Sequence, residues 1–175
     1  MQNKENNENV GNIFVSPPIQ IFSHNKEQEY YKADIIFYGV DHSGPSYEGR
    51  VYLNNSNANG DTPLDEENGY AGSYHIFGHG GCFGDVGHCD IKPRRTYDSR
   101  AQHPLIGANK SIDATNMLRK ILKTTDKIII TIVPIIAKGG RRSNIKDVVH
   151  IERIRINGYE NAYKLNKERQ SQRIE

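Results

Sequence analysis

The sequence lacks an apolar run long enough to cross a membrane. Its longest run, residues 128–137, contains Thr131 and Pro134, whereas a spanning helix needs about 18 apolar residues. This run therefore indicates a buried strand. The first residues also lack the charged and apolar regions of a signal peptide. We accordingly expect a cytoplasmic protein that makes no contact with a membrane.

The sequence also lacks an excess of charge of one sign. It has 23 basic and 21 acidic residues, which gives a net charge of +2. A nucleic-acid-binding domain has a basic stripe interleaved with aromatic residues. The two short basic runs, at residues 92–95 and 138–142, are typical of charged loops instead. We therefore expect no nucleic-acid partner.

The length of 175 residues indicates one domain, which can bury a core without covalent staples. Residues 1–14 begin with a polar, asparagine-rich stretch without periodicity, which predicts a disordered N-terminal tail. Residues 159–175 are highly charged and predict a C-terminal tail. The folded domain is then expected to span residues 15–158.

Most of this domain has the patterns of strands separated by turns rich in glycine and asparagine. Strands are predicted at residues 33–40, 48–53, 72–79, 127–136 and 148–156, the last with a bulge between Ile151 and Ile154. A long polar loop is predicted at 54–70. The fold class that follows is all-β, an antiparallel β-sandwich of jelly-roll or immunoglobulin-like type.

One short helix is predicted at about residues 112–122. Apolar residues recur there at positions 114, 117, 118, 121 and 122, which is helical spacing. Ser111 or Asp113 is suited to cap the start of this helix. We place the helix at a crossover between strands of the sandwich.

The segment at residues 74–90 is the strongest candidate for chemistry, because it holds both cysteines, three of the seven histidines and five glycines. Cys82, His88 and Cys89 can close around one metal ion on a pliable loop. Thiolate ligands favour Cu(I), with zinc as the usual competitor. His79 is the candidate fourth ligand for zinc. We therefore expect a copper or zinc site at these four residues.

Two alternatives to this metal site remain open for the cysteines. The C-x6-C spacing is looser than that of a zinc knuckle, so the two cysteines can instead form a disulfide or remain free buried thiols. His75 and His79 would lie about 13 Å apart on a strand, too far for one ion. If these two histidines bind no common ion, we expect one of them to face the core and the other to lie in a loop. Residues 41–43, Asp-His-Ser, are expected to form a loop, because adjacent residues cannot build a catalytic triad.

Five short motifs follow one another within residues 33–157. They are, in order, GRVYLN at 49–54, YAGSYH at 70–75, IDATNML at 112–118, KIIITIVP at 127–134 and VVHIERIRI at 148–156. This order resembles the C-terminal domain of plant polyphenol oxidases. It is also similar to the C-terminal β-sandwich of molluscan haemocyanins, and similar segments occur in bacterial tyrosinase-family proteins.

The resemblance implies the companion domain of this family without its oxidase. The family's catalytic domain carries six copper-binding histidines on a helical bundle, whereas this chain has seven scattered histidines and one convincing helix. We expect no catalytic residues. The implied function is an accessory or shielding domain for a tyrosinase-like dicopper oxidase partner, which assists copper loading through the cysteine and histidine loop.

Two other functions remain open at this point. The chain can be a self-contained metal-binding or redox protein that uses Cys82, His88 and Cys89. Alternatively, it can be an interaction module that binds no metal and uses the surface of its sandwich.

Overall fold

The computed structural model describes residues 9–21, 31–80, 96–97, 106–139 and 143–159. Within this part the chain forms ten strands and one helix. In chain order these are β1 Asn9–Val10, β2 Phe14–Val15, β3 Ile19–Gln20, β4 Lys32–Val40, β5 Tyr47–Leu53, β6 Tyr70–Ile76, β7 Ala108–Asp113, α1 Thr115–Leu122, β8 Lys127–Ile128, β9 Ile130–Ile136 and β10 Arg153–Tyr159.

Two antiparallel sheets form the body of the fold. The larger has the order β1-β9-β5-β6, with β2 also paired to β9, and the smaller has the order β10-β4-β7. Strands β3 and β8 form a separate short pair. This architecture confirms the prediction of an all-β antiparallel sandwich with one short helix.

The main core contains the inward side chains of both sheets and the buried face of α1. It includes Ile35 and Phe37 from β4, which are fully buried and belong to the same cluster as Val51, Ile130 and Ile132. From α1 the buried residues are Met117, Leu118 and Ile121. Apolar burial of this kind contributes about 25 cal/mol per Å², so these contacts hold the two sheets and the helix together.

Strand β9 is buried on both faces, as its mostly apolar sequence without alternation predicts. Ile130, Ile132 and Ile136 belong to the main core, whereas Val133 belongs to a second cluster with Tyr52 and Ala58. Ala58 lies in the loop at residues 54–69, which therefore covers the outer face of the larger sheet. The Tyr52 hydroxyl donates to the Thr62 carbonyl (2.9 Å) and fixes the loop there.

Pro134 explains why two short strands, and not one long strand, line the outer edge of β9. Strands β1 and β2 pair with residues on either side of it. The Gly11 amide donates to the Pro134 carbonyl (2.9 Å), so the amide that proline lacks would face the same edge. The ladder is therefore interrupted at this point.

The helix begins later than expected, because Ile112 and Asp113 pair with β4 as the end of β7. The N-cap residue is Ala114, without a side-chain cap bond, so the prediction that Ser111 or Asp113 caps the helix is wrong. The Asp113 carboxylate nevertheless accepts from the Thr115 amide (3.1 Å). Burial opposes the charged form of Asp113, but the Thr115 hydrogen bonds and the Lys32 charge outweigh it and lower its pKa.

Several strand boundaries differ from those predicted. The last strand begins at Arg153 and not at residue 148, and the suspected bulge between Ile151 and Ile154 coincides with its start. Residues 150 and 152 instead bond the end of β4 through the main chain. The Asp41 amide donates to the His150 carbonyl, and the Glu152 amide donates to the Tyr38 carbonyl. Strand β7 was not predicted, because its outward positions are polar.

Residues 9–14, which the sequence assigns to a disordered tail, contain β1 and the first residue of β2. The Asn9 side chain also donates to the Ser143 carbonyl (2.7 Å). Pairing with β9 provides the partners that the composition alone does not indicate. In the described part of the chain, no helix has the length and apolar character that crossing a membrane requires.

We expect Gly49→Ala to destabilise the sandwich, because Tyr74 lies directly over this glycine. A Cβ atom at position 49 would lie 2.5 Å from Tyr74 Cζ, and overpacking of this kind costs about 1–3 kcal/mol. Urea unfolding measures the change in the free energy of unfolding. Gly44→Ala is the control, since no neighbouring heavy atom lies within 4 Å of its added Cβ. Equal stability of the two variants would contradict the expectation.

Candidate functional site: the histidine end of the sandwich

Three of the four predicted metal ligands, Cys82, His88 and Cys89, lie outside the described residues. His79 is described and lies just beyond the end of β6. Among the described residues, no group of three or more histidine, cysteine, aspartate and glutamate side chains is arranged to hold a metal ion. A frame of neighbouring main-chain segments determines the position of His79.

This frame consists of residues 41–46, 76–80 and 106–108, which we call the histidine end. The His79 amide donates to the His42 carbonyl (2.9 Å), and the Gly80 amide donates to the Gly44 carbonyl (3.0 Å). The Gly78 amide donates to Ser46 Oγ (3.0 Å). These bonds continue the pairing of β5 with β6 beyond the strands themselves.

Two glycines allow the backbones of the histidine end to approach closely. A Cβ atom on Gly78 would lie 2.1 Å from the Gly44 carbonyl oxygen, and one on Gly107 would lie 2.7 Å from Gly39 Cα. Real Cβ atoms do not approach so closely, so any larger residue requires the backbones to separate. The positions of residues 80 and 106 relative to residues 39–44 are therefore fixed by main-chain packing.

The side-chain rings of His42 and His79 contact each other at this end. Their ring centres are 5.0 Å apart and the ring planes are inclined by 78°. His42 Nε2 lies 2.7 Å from the Ile106 carbonyl oxygen. Because a carbonyl only accepts, Nε2 carries the proton and Nδ1 has the lone pair in the neutral ring.

The Asp41-His42-Ser43 sequence forms a tight loop, as predicted. The Ser43 amide donates to Asp41 Oδ1 (2.8 Å), and the Ser43 hydroxyl donates to Asp41 Oδ2 (3.0 Å). Both carboxylate oxygens of Asp41 thus bond to Ser43 and hold the turn that presents His42. This arrangement differs from a catalytic triad, in which the carboxylate orients the histidine.

Two buried tyrosines lie in the core behind this end. Tyr47 and Tyr74 are only 3% and 4% exposed, with ring centres 6.1 Å apart. Burial raises the pKa of Tyr47 to about 12, and the Asp41 carboxylate adds to the shift. Burial also raises the pKa of Tyr74. Both hydroxyls are consequently neutral at physiological pH.

Two apolar side chains of the histidine end face solvent. Phe77 is 82% exposed and Ile106 is 68% exposed. Phe77 lies two residues before His79, and the Ile106 carbonyl bonds His42. Exposed aromatic and aliphatic side chains beside polar groups are typical of contact surfaces between proteins.

His75 is not part of this site. It lies on β6 opposite Glu48, and its side chain is exposed, so the expectation that one histidine of the pair faces the core is wrong. The core face of β6 is instead occupied by Tyr74 and Ile76. His79 lies in a loop, as expected.

A groove of about 660 Å³ lies at the opposite end of β4 and β6, beside the start of α1. Lys32 in its wall lies 2.7 Å from Asp34 and 3.7 Å from Asp113. The lysine charge is therefore balanced within the protein, and the described residues that line the groove offer no excess of positive charge to an anionic ligand.

The role of His42 was missed from the sequence, although a signal for it exists. Tyr47 pairs with Ile76 in the antiparallel ladder of β5 and β6. Residues shortly before 47 must then lie near residues shortly after 76. Correct identification of this hairpin would have placed His42 beside His79, despite the 36 positions between them.

No protein-family model and no curated protein matches this chain. Among solved structures, a recombinantly expressed latent aurone synthase, a polyphenol oxidase, is similar at 14% identity and a TM-score of 0.49, covering 87% of this chain and 24% of that chain. Latent aurone synthase from natural source gives 14% identity and a TM-score of 0.49, with coverages of 86% and 25%. The chain thus spans about a quarter of these proteins. At this identity and TM-score, we base no functional conclusion on the matches.

We expect stability to fall at alkaline pH because of the buried tyrosines. A folded-state pKa raised above the ordinary value of 10 stabilises the fold below pH 10, and this stabilisation is lost as pH rises towards 12. Denaturant unfolding between pH 9 and 12, together with tyrosinate absorbance, measures the effect. Tyr74→Phe should make the loss shallower, whereas Tyr97→Phe, at a 97% exposed position, should not. Identical profiles would contradict this assignment.

Proposed function

We propose that this chain is an accessory domain that binds and shields a tyrosinase-like dicopper oxidase and assists its loading with copper. The single observation that carries the proposal is the ordered set of motifs along the chain. The histidine end supplies the contact surface, and the segment with Cys82, His88 and Cys89 supplies the copper ligands.

The segments that resemble the polyphenol oxidase C-terminal domain are the structural elements of this sandwich. Residues 49–54 and 70–75 belong to the hairpin of β5 and β6, and residues 112–118 contain the start of α1. Residues 127–134 form β8 and most of β9, which is the centre of the larger sheet. The resemblance therefore follows the core of the fold, where sequence is constrained by packing.

The distribution of histidines also supports an accessory role. The chain has seven histidines, whereas the family's oxidase uses six on a helical bundle. Helix α1 has the sequence TNMLRKIL and carries none of them. His42, His75, His79 and His150 lie on strands or loops. The oxidase chemistry is accordingly assigned to the partner.

The histidine end is suited to contact such a partner. Phe77 and Ile106 offer exposed apolar area, and the His42 ring bonds the Ile106 carbonyl. In the sequence, Gly80 and Ile106 flank the segment with the predicted copper ligands, and both residues belong to this end.

We expect Phe77→Asp to weaken the complex with a tyrosinase-like oxidase encoded beside this chain. A buried aromatic anchor contributes about 2 kcal/mol or more to an interface, and a carboxylate would remain unpaired there. Isothermal titration measures affinity, and diphenol oxidation by the partner measures shielding. Tyr31→Ser is the matched control, because Tyr31 is 56% exposed beside the distant groove.

The wild-type chain should bind the oxidase and lower its turnover, and Phe77→Asp should relieve the inhibition. Absence of any complex would reject the accessory function. A complex that Phe77→Asp leaves unchanged would place the contact elsewhere on the sandwich.

Copper handling is tested by an anaerobic Cu(I) titration of the reduced protein against a competing chelator. We expect one-to-one binding that is lost in the Cys82→Ser/Cys89→Ser variant, because thiolates are the preferred ligands of Cu(I). His75→Ala is the control, since His75 is exposed on β6 opposite Glu48 and is not one of the predicted ligands. Binding equal to that of the double variant would reject copper loading and leave the shielding role to the first test.

A further inference from the structure

We propose that His42 and His79 together form a binding site for a borderline divalent cation, with Cu(II) preferred and Zn(II) next. This inference rests on the proposed function for the use of His79 as a ligand. It adds His42 as a second ligand and Cu(II) as a second oxidation state of the bound copper. It also makes this site independent of the cysteines.

The separation of the two rings matches that of two imidazoles on one ion. When nitrogens about 2.1 Å from a tetrahedral zinc ion belong to two imidazoles, the ring centres lie about 5 Å apart. The centres of His42 and His79 are 5.0 Å apart. The separation of the ring centres is therefore compatible with one shared ion, which the two imidazoles would reach by rotation of their side chains.

The hydrogen bond of His42 has the pattern of a metal-binding histidine. Such a ligand donates its second ring N–H to a carbonyl or carboxylate, which fixes both the tautomer and the ring orientation. His42 Nε2 donates to the Ile106 carbonyl (2.7 Å), and this leaves the lone pair of Nδ1 for an ion. Among the described residues, the Ile106 carbonyl is therefore the partner that holds the His42 ring in this orientation.

The two ligands are brought together by folding and not by the metal. The His79 amide bonds the His42 carbonyl directly, and the Gly80 amide bonds Gly44. Ser43 fixes the Asp41 turn that precedes His42. Binding therefore does not have to supply the entropy of closing the loop between positions 42 and 79.

The ligand type determines the class of metal. Neutral imidazoles suit copper, zinc and nickel, and affinity for divalent ions rises towards Cu(II). Two protein ligands leave further coordination positions for water or for a group of a partner protein.

The test uses the full chain with Cys82→Ser, Cys89→Ser and His88→Ala, so that the cysteine site makes no contribution. Cu(II) and Zn(II) are titrated separately by calorimetry against a weak competing chelator. We expect one-to-one binding that weakens by at least about tenfold on His42→Ala or His79→Ala. His75→Ala and His150→Ala are the matched controls and should have no effect.

A second measurement separates ligand loss from misfolding. His42→Gln keeps an N–H donor for the Ile106 carbonyl but has no imidazole, so its thermal midpoint should match that of the parent while Cu(II) affinity falls. Paramagnetic Cu(II) should also broaden the ring signals of His42 and His79 before those of His75 and His150. Uniform broadening, or affinity unchanged by His42→Gln, would overturn the proposal and leave the pair as a ring contact.

The outcomes for the two metal sites are distinguishable. Failure of Cu(I) to bind the wild-type chain, with Cu(II) retained by the histidine pair, rejects the thiolate site and supports this one. Cu(I) binding that needs the cysteines, with no effect of His42→Ala on Cu(II), rejects this site alone.

Discussion

The burial of strand β9 on both faces is the constraint on which the fold depends. A strand with apolar residues on each side must be covered twice, and the two covers are different in kind. The smaller sheet and α1 cover one face, and the loop at 54–69 covers the other. The larger sheet is thus an internal layer, although only one of its sides faces a second sheet.

The two ends of the molecule differ in the partners that their polar side chains bond. Near the start of β4, charged side chains balance one another, as Lys32 does with Asp34 and Asp113. At the histidine end, polar side chains bond to main-chain groups, as His42 and Ser46 do. Main-chain partners hold a side chain in one orientation without neutralising it, and in the neutral His42 ring the lone pair stays on Nδ1.

Side-chain periodicity was sufficient to predict the elements that face the core. The strand at 130–136 and the buried face of α1 were identified because packing imposes their spacing. Strand β7 was missed because Asn109, Ser111 and Asp113 face solvent and only Ile112 is directed to the core. His42 was missed for a related reason, since its proximity to His79 depends on the register of a hairpin. Register is a tertiary property, and local sequence determines it weakly.

The glycine contacts at the histidine end have a consequence for how such a domain can diversify. Gly78 and Gly107 hold residues 80 and 106 at fixed positions on the same main-chain segment. A chain that joins two fixed points can change in length at low thermodynamic cost, about 0.6 kcal/mol for each doubling. The sandwich can therefore keep its structure while the chain between residues 80 and 106 changes in sequence and length. New ligands can be acquired in that segment without a change in the core that determines folding.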